Sequence, residues 1–386
     1  MLSKDGFELH PGPRTVFGVG SVDKLAKRVR VVGSGRACVV SDAGLVAAGI
    51  VAQVVEQLRR ADIDVVEFTE VESNPRRRTV ERAAKTLSGD KNTLVVALGG
   101  GSVIDAAKAI ALAAPNKGNL DSVRFGTKPA QRGLRVVCIP TTAGTGSETN
   151  MFGVITDPEI GRKVLVAHPS VLPELVILDP MLTVGLPPEV TALTGLDALT
   201  HALESLMATR ANPVSEALAL RAMAMVFAHL ERAFSDGDDL EARSQMLCAA
   251  HVAGLAFSSS GLGVCHALGH PLSARLDSAH GQALATLLPH VLRFHLDVCE
   301  AKLAQAAIAF GVFDDLASAA DNAAAAVAAV ERLSRALGAD KTGSELGIEE
   351  SMIPTLVEDA LADPLILTTP KPVTPEILAQ IYRDAS

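Results

Sequence analysis

The sequence predicts an α/β domain over residues 1–184 followed by an all-α domain over residues 185–386. Three observations carry that reading. Through the first ~180 residues, short apolar runs rich in β-branched side chains alternate with amphipathic stretches of helical length. After "GLPPEV" (185–190) the strand signal vanishes and Ala- and Leu-rich windows take over. A chain of 386 residues, 48% apolar and 20% charged, is long and apolar enough for two domains with sizeable cores.

Strands are expected at "RACVVS" (36–41), "DVVEFTEV" (64–71), "TLVVAL" (93–98), "LRVVCIP" (134–140) and "ELVILD" (174–179), with helices between them at 43–61, 75–88 and 103–114. That βαβ rhythm belongs to a parallel sheet covered on both faces. In the second half, helices are expected at 213–233, 239–257, 301–310 and 316–337. The "AAAA" at 323–326 favours helix, and no 20–50-residue period suggests a solenoid.

Composition excludes several function classes. The formal charge is −9, from 35 basic and 44 acidic side chains, and the basic run "RRR" (76–78) is short, which argues against a nucleic-acid partner. Cys38, Cys138, Cys248, Cys265 and Cys299 are scattered and form no CxxC pair, as expected of reduced thiols in a cytoplasm. "MLSKDGFELH" lacks a signal-peptide core, and no apolar run approaches ~18–20 residues, so an unexported protein with no membrane association is expected.

Chemistry enters with two loops. In "TLVVALGGGSVIDAAKAIAL" (93–112) a strand meets Gly99, Gly100 and Gly101, which let a ligand approach the backbone, and Ser102, which can cap a helix whose N–H groups attract phosphate. An ordinary strand-to-helix turn would use the same glycines. "IPTTAGTGSET" (139–149) also follows a strand and offers Thr141, Thr142, Thr145 and Ser147 to phosphate or ribose. Two such loops at strand C-termini converge where α/β sheets bind nucleotides. Asp42, ending another strand, suits ribose hydroxyls and repels a 2′-phosphate, or simply caps the next helix.

The helical half holds a second constellation. If "TGLDALTHALES" (194–205) is a helix, Asp197 and His201 lie one turn apart on the same face, among Leu and Ala made for burial. Such a pair either hydrogen-bonds internally or converges on a third partner. "GVCHALGHPLSARLDSAHGQALATLLPH" (263–290) contains His266, His270, His280 and His290, with an irregular "RLDSA" before His280. Asp197, His201, His266 and His280 together would offer one carboxylate and three imidazoles, a set suited to Fe²⁺ or Zn²⁺. Hydrogen-bonded histidines between packed helices are the plainer alternative. His10, His168, His229, His251 and His295 stand alone and are expected to be satisfied core or surface residues.

"GGGSVIDAAKA", "PTTAGTGSE", "VITD", "LDP", "GLDALTHALES" and "GLGVCHALGHPL" with "AHGQALATLLPHVLRF" together resemble the iron-containing (group III) alcohol dehydrogenase family, from residue 17 to 378. The resemblance implies an α/β N-terminal dinucleotide-binding domain, an all-α C-terminal domain and an active site in the cleft between them, the architecture shared with dehydroquinate synthase. It implies metal ligands at Asp197, His201, His266 and His280 and NAD(H) contacts at Asp42, Asn74, Gly99, Gly100, Gly101, Ser102, Thr141, Thr142, Thr145 and Lys163. His270 matches a second histidine proposed to move protons.

The activity implied is hydride transfer between nicotinamide and a small alcohol, aldehyde or hydroxy acid whose oxygen binds the metal, with the reacting carbons ~3–3.5 Å apart. Rivals of the same architecture are maleylacetate reductase, which dispenses with the metal set, a hydroxyacid-oxoacid transhydrogenase, and the lyase dehydroquinate synthase, whose phosphorylated substrate needs basic groups that the second half does not cluster. Thr149, Asn150, Phe152, Ser273 and His295 depart from the common pattern and bear on substrate identity. One Tyr, 11 Phe and no Trp suggest an aliphatic substrate pocket. A homodimer or larger homo-oligomer is expected, with an N-terminal edge strand as a pairing element.

Overall fold

The computed structural model describes residues 6–9 and 12–386. His10, and residues 1–5 of the N-terminal stretch considered above for a signal sequence, lie outside the described residues. The chain forms two compact units, one comprising Gly12–Thr142 with Gly146–Val184, the other Ala143–Thr145 with Gly185 onward.

In the first unit the elements run β1 (Arg14–Phe17), α1 (Leu25–Val32), β2 (Arg36–Val40), α2 (Ala43–Ala47), α3 (Ile50–Arg59), β3 (Asp64–Phe68), α4 (Arg77–Thr86), β4 (Leu94–Gly99), α5 (Gly101–Ala113), β5 (Val136–Pro140), β6 (Phe152–Asp157), β7 (Arg162–Ala167) and β8 (Leu175–Leu178). Six strands form one parallel sheet in the order β1-β8-β5-β4-β2-β3. Every residue of β4 and β5 is buried, which explains why those segments read as continuous apolar runs. Val39, Leu94, Val96, Val137, Ile139 and Ile177 form the sheet side of a core closed by Leu25, Val54 and Leu58 from α1 and α3. Each such side chain contributes about 1.5–3 kcal/mol by leaving water.

The single helix expected at 43–61 is broken in two. Gly49 takes φ 76°, a left-handed conformation that ends α2 and lets α3 start in a new direction. The hairpin β6–β7 was not expected from the sequence. Its strands pair antiparallel, Thr156 opposite Lys163, around "PEIG". It packs on α5 through Gly153, where a Cβ would lie 2.7 Å from the Asp105 carbonyl.

The second unit contains α6 (Pro188–Met207), α7 (Pro213–Ser235), α8 (Leu240–Ser260), α9 (Val264–Arg275), α10 (His280–Ala309), α11 (Ala319–Ala336), α12 (Ile353–Leu361) and α13 (Pro375–Ala385). The helix expected at 301–310 is the end of the 30-residue α10, whose backbone kinks at Cys299. From Gly195 to Met207 every residue of α6 is buried, because α7, α8 and α10 all pack against it. Gly195 permits that packing: a Cβ there would come within 2.2 Å of Leu230 Cδ1 on α7. By length and hydropathy α7 resembles a membrane span, and it packs on α6 and α8.

His295, expected to be a satisfied histidine, is buried on α10 with neither ring nitrogen meeting a well-formed hydrogen-bond partner among the described residues. Burial pushes its pKa down to about 4, against weaker pulls from Glu204 and the Val291 main chain. The folded chain therefore keeps this ring neutral at pH values where the unfolded chain, with a pKa near 6.5, is already protonated. Stability is intact above that value and falls as the pH drops towards about 4, with His295 accounting for roughly 2–3 kcal/mol of the loss. Urea unfolding of wild type and His295→Asn at pH 7 and pH 4.5 should show a smaller acid loss in the variant.

Candidate metal centre and nucleotide loops

Asp197, His201 and Glu204 occupy positions i, i+4 and i+7 on α6 and so share one face of a buried helix. His266 comes from the first turn of α9, and His280 is the first residue of α10. Arg275 ends α9 and "LDSA" breaks the chain between the two helices, so the irregular stretch reverses direction and returns His280 towards α6. Gly281 allows the approach, since a Cβ there would lie 2.2 Å from the Leu193 carbonyl oxygen. Gly144 makes a similar contact from the 143–145 segment: its Cβ would meet Thr194 Cβ at 2.7 Å.

Around Asp197 Oδ1 stand His201 Nδ1 at 3.4 Å, His266 Nε2 at 3.6 Å and His280 Nε2 at 3.9 Å. Ligand atoms of Asp197, His201 and His266 all lie within 4.8 Å of one another. The first three of these atoms, Asp197 Oδ1, His201 Nδ1 and His266 Nε2, are buried without a hydrogen-bond partner among the described residues. Leaving such groups unpaired costs about 1–3 kcal/mol each, so convergence on one point is the signature of a cation site. Oxygen and imidazole donors suit Fe²⁺ or Zn²⁺.

The electrostatics agree. Burial opposes the Asp197 charge, yet the neighbouring imidazoles hold its carboxyl well below the usual range. Burial pushes His201 down to about 4 despite Asp197. His201 is stacked between Phe257 and His266, with ring centroids 4.6 and 4.5 Å away. His266 moves the other way. Burial disfavours its charge, but Asp197 and Glu204 together carry it up to about 9. Burial and the two carboxylates thus shift two stacked imidazoles in opposite directions.

Two carboxylates next to this centre were missed by the sequence reading. Glu204 accepts from His266 Nδ1 at 2.5 Å, and its signal was available as the i+7 position of the same helical face. Asp363 accepts from His270 Nδ1 at 2.6 Å, from more than ninety positions away, and nothing in the sequence marked that pairing. His270 also stacks on His280 at 5.5 Å between centroids. Asp363 is held low against burial by its His270 neighbour.

In the α/β unit, the chain passes from β2 outward to β3 and returns to β4 on the other side of β2, so the strand order switches between β2 and β4. Asp42 follows β2 and Gly99–Ser102 follow β4, which puts both at the crevice where such sheets bind nucleotides. Ser41 ties the two ends together by donating to the Leu98 carbonyl at 2.8 Å. Asp42 Oδ1 caps α2 by accepting from Leu45 N, so the capping role is real, while Oδ2 takes no part in the cap. Ser102 is not a cap: α5 begins at Gly101 behind an extended Gly100, with no side chain over its first N–H groups.

The two loops meet. Thr141 N donates to the Gly99 carbonyl at 3.1 Å, and a Cβ on Gly100 would lie 3.1 Å from Thr142 Oγ1. Asn74 takes φ 52° just before α4, and Lys163 sits on β7. Thr145 follows Gly144 in the segment that packs on α6. Thr149 and Asn150, expected to bear on substrate, are buried and committed to their own loop: Thr149 Oγ1 donates to Gly146 O at 2.7 Å, and Asn150 Oδ1 accepts from Phe152 N and from Lys108 Nζ at 2.9 and 3.1 Å. Lys108 is wholly buried and also donates to the Phe152 carbonyl at 2.6 Å, an anchor that the sequence reading passed over.

Residues 12–180 match the family described as iron-containing alcohol dehydrogenase, and residues 191–386 match the C-terminal part of the Fe-containing alcohol dehydrogenase family. The chain is 34% identical over 373 residues to the NAD-dependent methanol dehydrogenase of Bacillus methanolicus, covering 97% of this chain and 98% of that one. It is 36% identical over 369 residues to the choline dehydrogenase of Bacillus subtilis (strain 168), covering 95% and 92%. The crystal structure of a 1,3-propanediol oxidoreductase superposes with a TM-score of 0.94 at 34% identity, covering 98% of this chain and 100% of that one.

The Gly281 contact makes a direct prediction. Gly281→Ala should destabilise the fold by roughly 1–3 kcal/mol through overpacking against Leu193, and should lower the metal content of purified protein because His280 is displaced with it. Thermal unfolding and elemental analysis read the two effects; wild-type values for both would contradict the close approach.

Proposed function

The chain belongs to the iron-containing alcohol dehydrogenase family, and from that premise we propose that it is a metal-dependent NAD(H) alcohol dehydrogenase or aldehyde reductase acting on a small alcohol, aldehyde or hydroxy acid. The observation that carries the proposal is the convergence of Asp197 Oδ1, His201 Nδ1 and His266 Nε2, buried and unsatisfied, with His280 Nε2 completing the set. These four side chains would hold the cation, Fe²⁺ first and Zn²⁺ as the alternative. When bound, the cation supplies Lewis acidity at the substrate oxygen and the nicotinamide accepts or donates the hydride.

The chain's own residues have three tasks. Gly99, Gly100 and Gly101, with Thr141 and Thr142 beside them, present bare backbone and hydroxyls to the dinucleotide phosphates at the start of α5. Asp42 faces the switch point with a carboxylate that accepts from ribose hydroxyls and disfavours a 2′-phosphate, which supports NAD(H) over NADP(H). Asn74, Ser102, Thr145 and Lys163 complete the proposed cofactor contacts. His270 is fixed through Nδ1 by Asp363, which leaves Nε2 to take or give the proton that accompanies hydride transfer.

NADH oxidation should be followed with short aldehydes and oxo acids on protein stripped of metal and reloaded with Fe²⁺ or Zn²⁺. Activity should return only with metal, prefer NADH to NADPH, and fall by ~10³-fold or more in Asp197→Ala and His266→Ala; full activity in metal-free protein would overturn the reading. His270→Ala should keep its metal but lose roughly 10²–10⁴-fold in turnover, with a flattened pH profile. An unchanged pH-rate curve would remove His270 from the proton path.

A further inference from the structure

We propose that Glu204 is a positioning residue of the metal centre: its carboxylate keeps the proton of the His266 ring on Nδ1 and so turns Nε2 towards the cation. The proposal rests on the metal reading above and assigns a task to a residue outside the four ligands.

Both oxygens of Glu204 are engaged within one turn of α9. Oε2 lies 2.5 Å from His266 Nδ1 and Oε1 lies 2.6 Å from the backbone N of Cys265, and all three residues are buried. The N-cap of α9 is Gly263, which has no side chain to satisfy those first N–H groups. Glu204 caps the helix from α6 instead, and the space it fills is the space a side chain at 263 would need: a Cβ on Gly263 would lie 2.9 Å from Oε1. Capping alone requires one acceptor, which Ser or Asp at 263 would provide locally. A carboxylate delivered from α6 adds a second acceptor aimed at the imidazole, so that Nδ1 is the donor of that contact. In the neutral ring the lone pair then sits on Nε2, an atom buried without a hydrogen-bond partner among the described residues and 3.6 Å from Asp197 Oδ1. The helix N-terminus offsets the cost of a buried negative charge at this point.

The test is Co²⁺ affinity, measured by chelator competition on wild type, Asp197→Ala and Glu204→Gln. A glutamine can still accept from Cys265 N, so the cap survives, but its NH₂ then faces Nδ1 and drives the ring proton onto Nε2. Co²⁺ affinity should fall by about 10–100-fold in Glu204→Gln, while NADH binding and the melting temperature of metal-free protein stay at wild-type values. Wild-type affinity in Glu204→Gln would reduce Glu204 to a helix cap and overturn the proposal. Wild-type protein that takes up no Co²⁺, or Asp197→Ala that takes it up equally well, would instead defeat the metal reading beneath it. Should Glu204→Gln fail to fold, ¹¹³Cd-loaded wild type decides: ¹¹³Cd–¹⁵N coupling to His266 is expected through Nε2, and coupling through Nδ1 would refute the assignment.

Discussion

A buried carboxylate surrounded by imidazoles governs the helical half of this protein. Asp197 is buried away from solvent, and the nitrogens nearest its Oδ1 lie at 3.4–3.9 Å, just beyond good hydrogen bonds. The polypeptide alone leaves these atoms under-satisfied, so the site is completed by a cation or carries a penalty. Much of the local sequence serves that geometry. α6 is buried all round because three other helices must reach it, and glycines appear where they come closest, at Gly195 towards α7 and at Gly281 where α10 begins.

The α/β unit answers a different constraint, how to bring two polar loops together at one edge of the sheet. Its solution uses strand order. The reversal between β2 and β4 opens the sheet's carboxyl edge, and the glycines after β4 let the second loop lie directly against the first, Thr142 on Gly100. The loop that follows is stiffened from below by Lys108, whose buried Nζ is shared among the Phe152 and Ser147 carbonyls and Asn150. Asn150 is thus spent on bracing that loop, which explains why a polar side chain is tolerated there and weakens its claim to choose a substrate.

What was legible in the sequence follows from which physical signals are local. β-branched runs gave the central strands because buried parallel strands need no alternation, and the i, i+4 spacing gave Asp197 and His201 because a helix maps sequence distance onto a face. The hairpin β6–β7 escaped because its alternation is interrupted by a loop and partly covered by α5. The break at Gly49 escaped because a lone glycine inside a helical pattern does not announce its φ. Asp363 escaped for a deeper reason: its contact with His270 joins segments over ninety residues apart, and no local pattern encodes that pairing. His295 shows the converse, a residue whose surroundings are less satisfied than an isolated histidine suggests.

Two carboxylates on one helical face could both have been ligands, and their separation explains why they are not equivalent. Asp197 lies one turn before His201 and presents Oδ1 to the common centre, whereas Glu204, one turn beyond, reaches α9 and gives both oxygens to N–H donors there. Two carboxylates placed directly on a divalent cation would cancel its charge and blunt its pull on a substrate oxygen. A donor set of one carboxylate and three imidazoles would leave a bound divalent cation a net positive centre, and the second carboxylate would act through the His266 ring, strengthening the nitrogen donor without neutralising the cation. The helix periodicity that makes Asp197, His201 and Glu204 neighbours on one face therefore also divides their labour, because successive turns of α6 meet different partner helices.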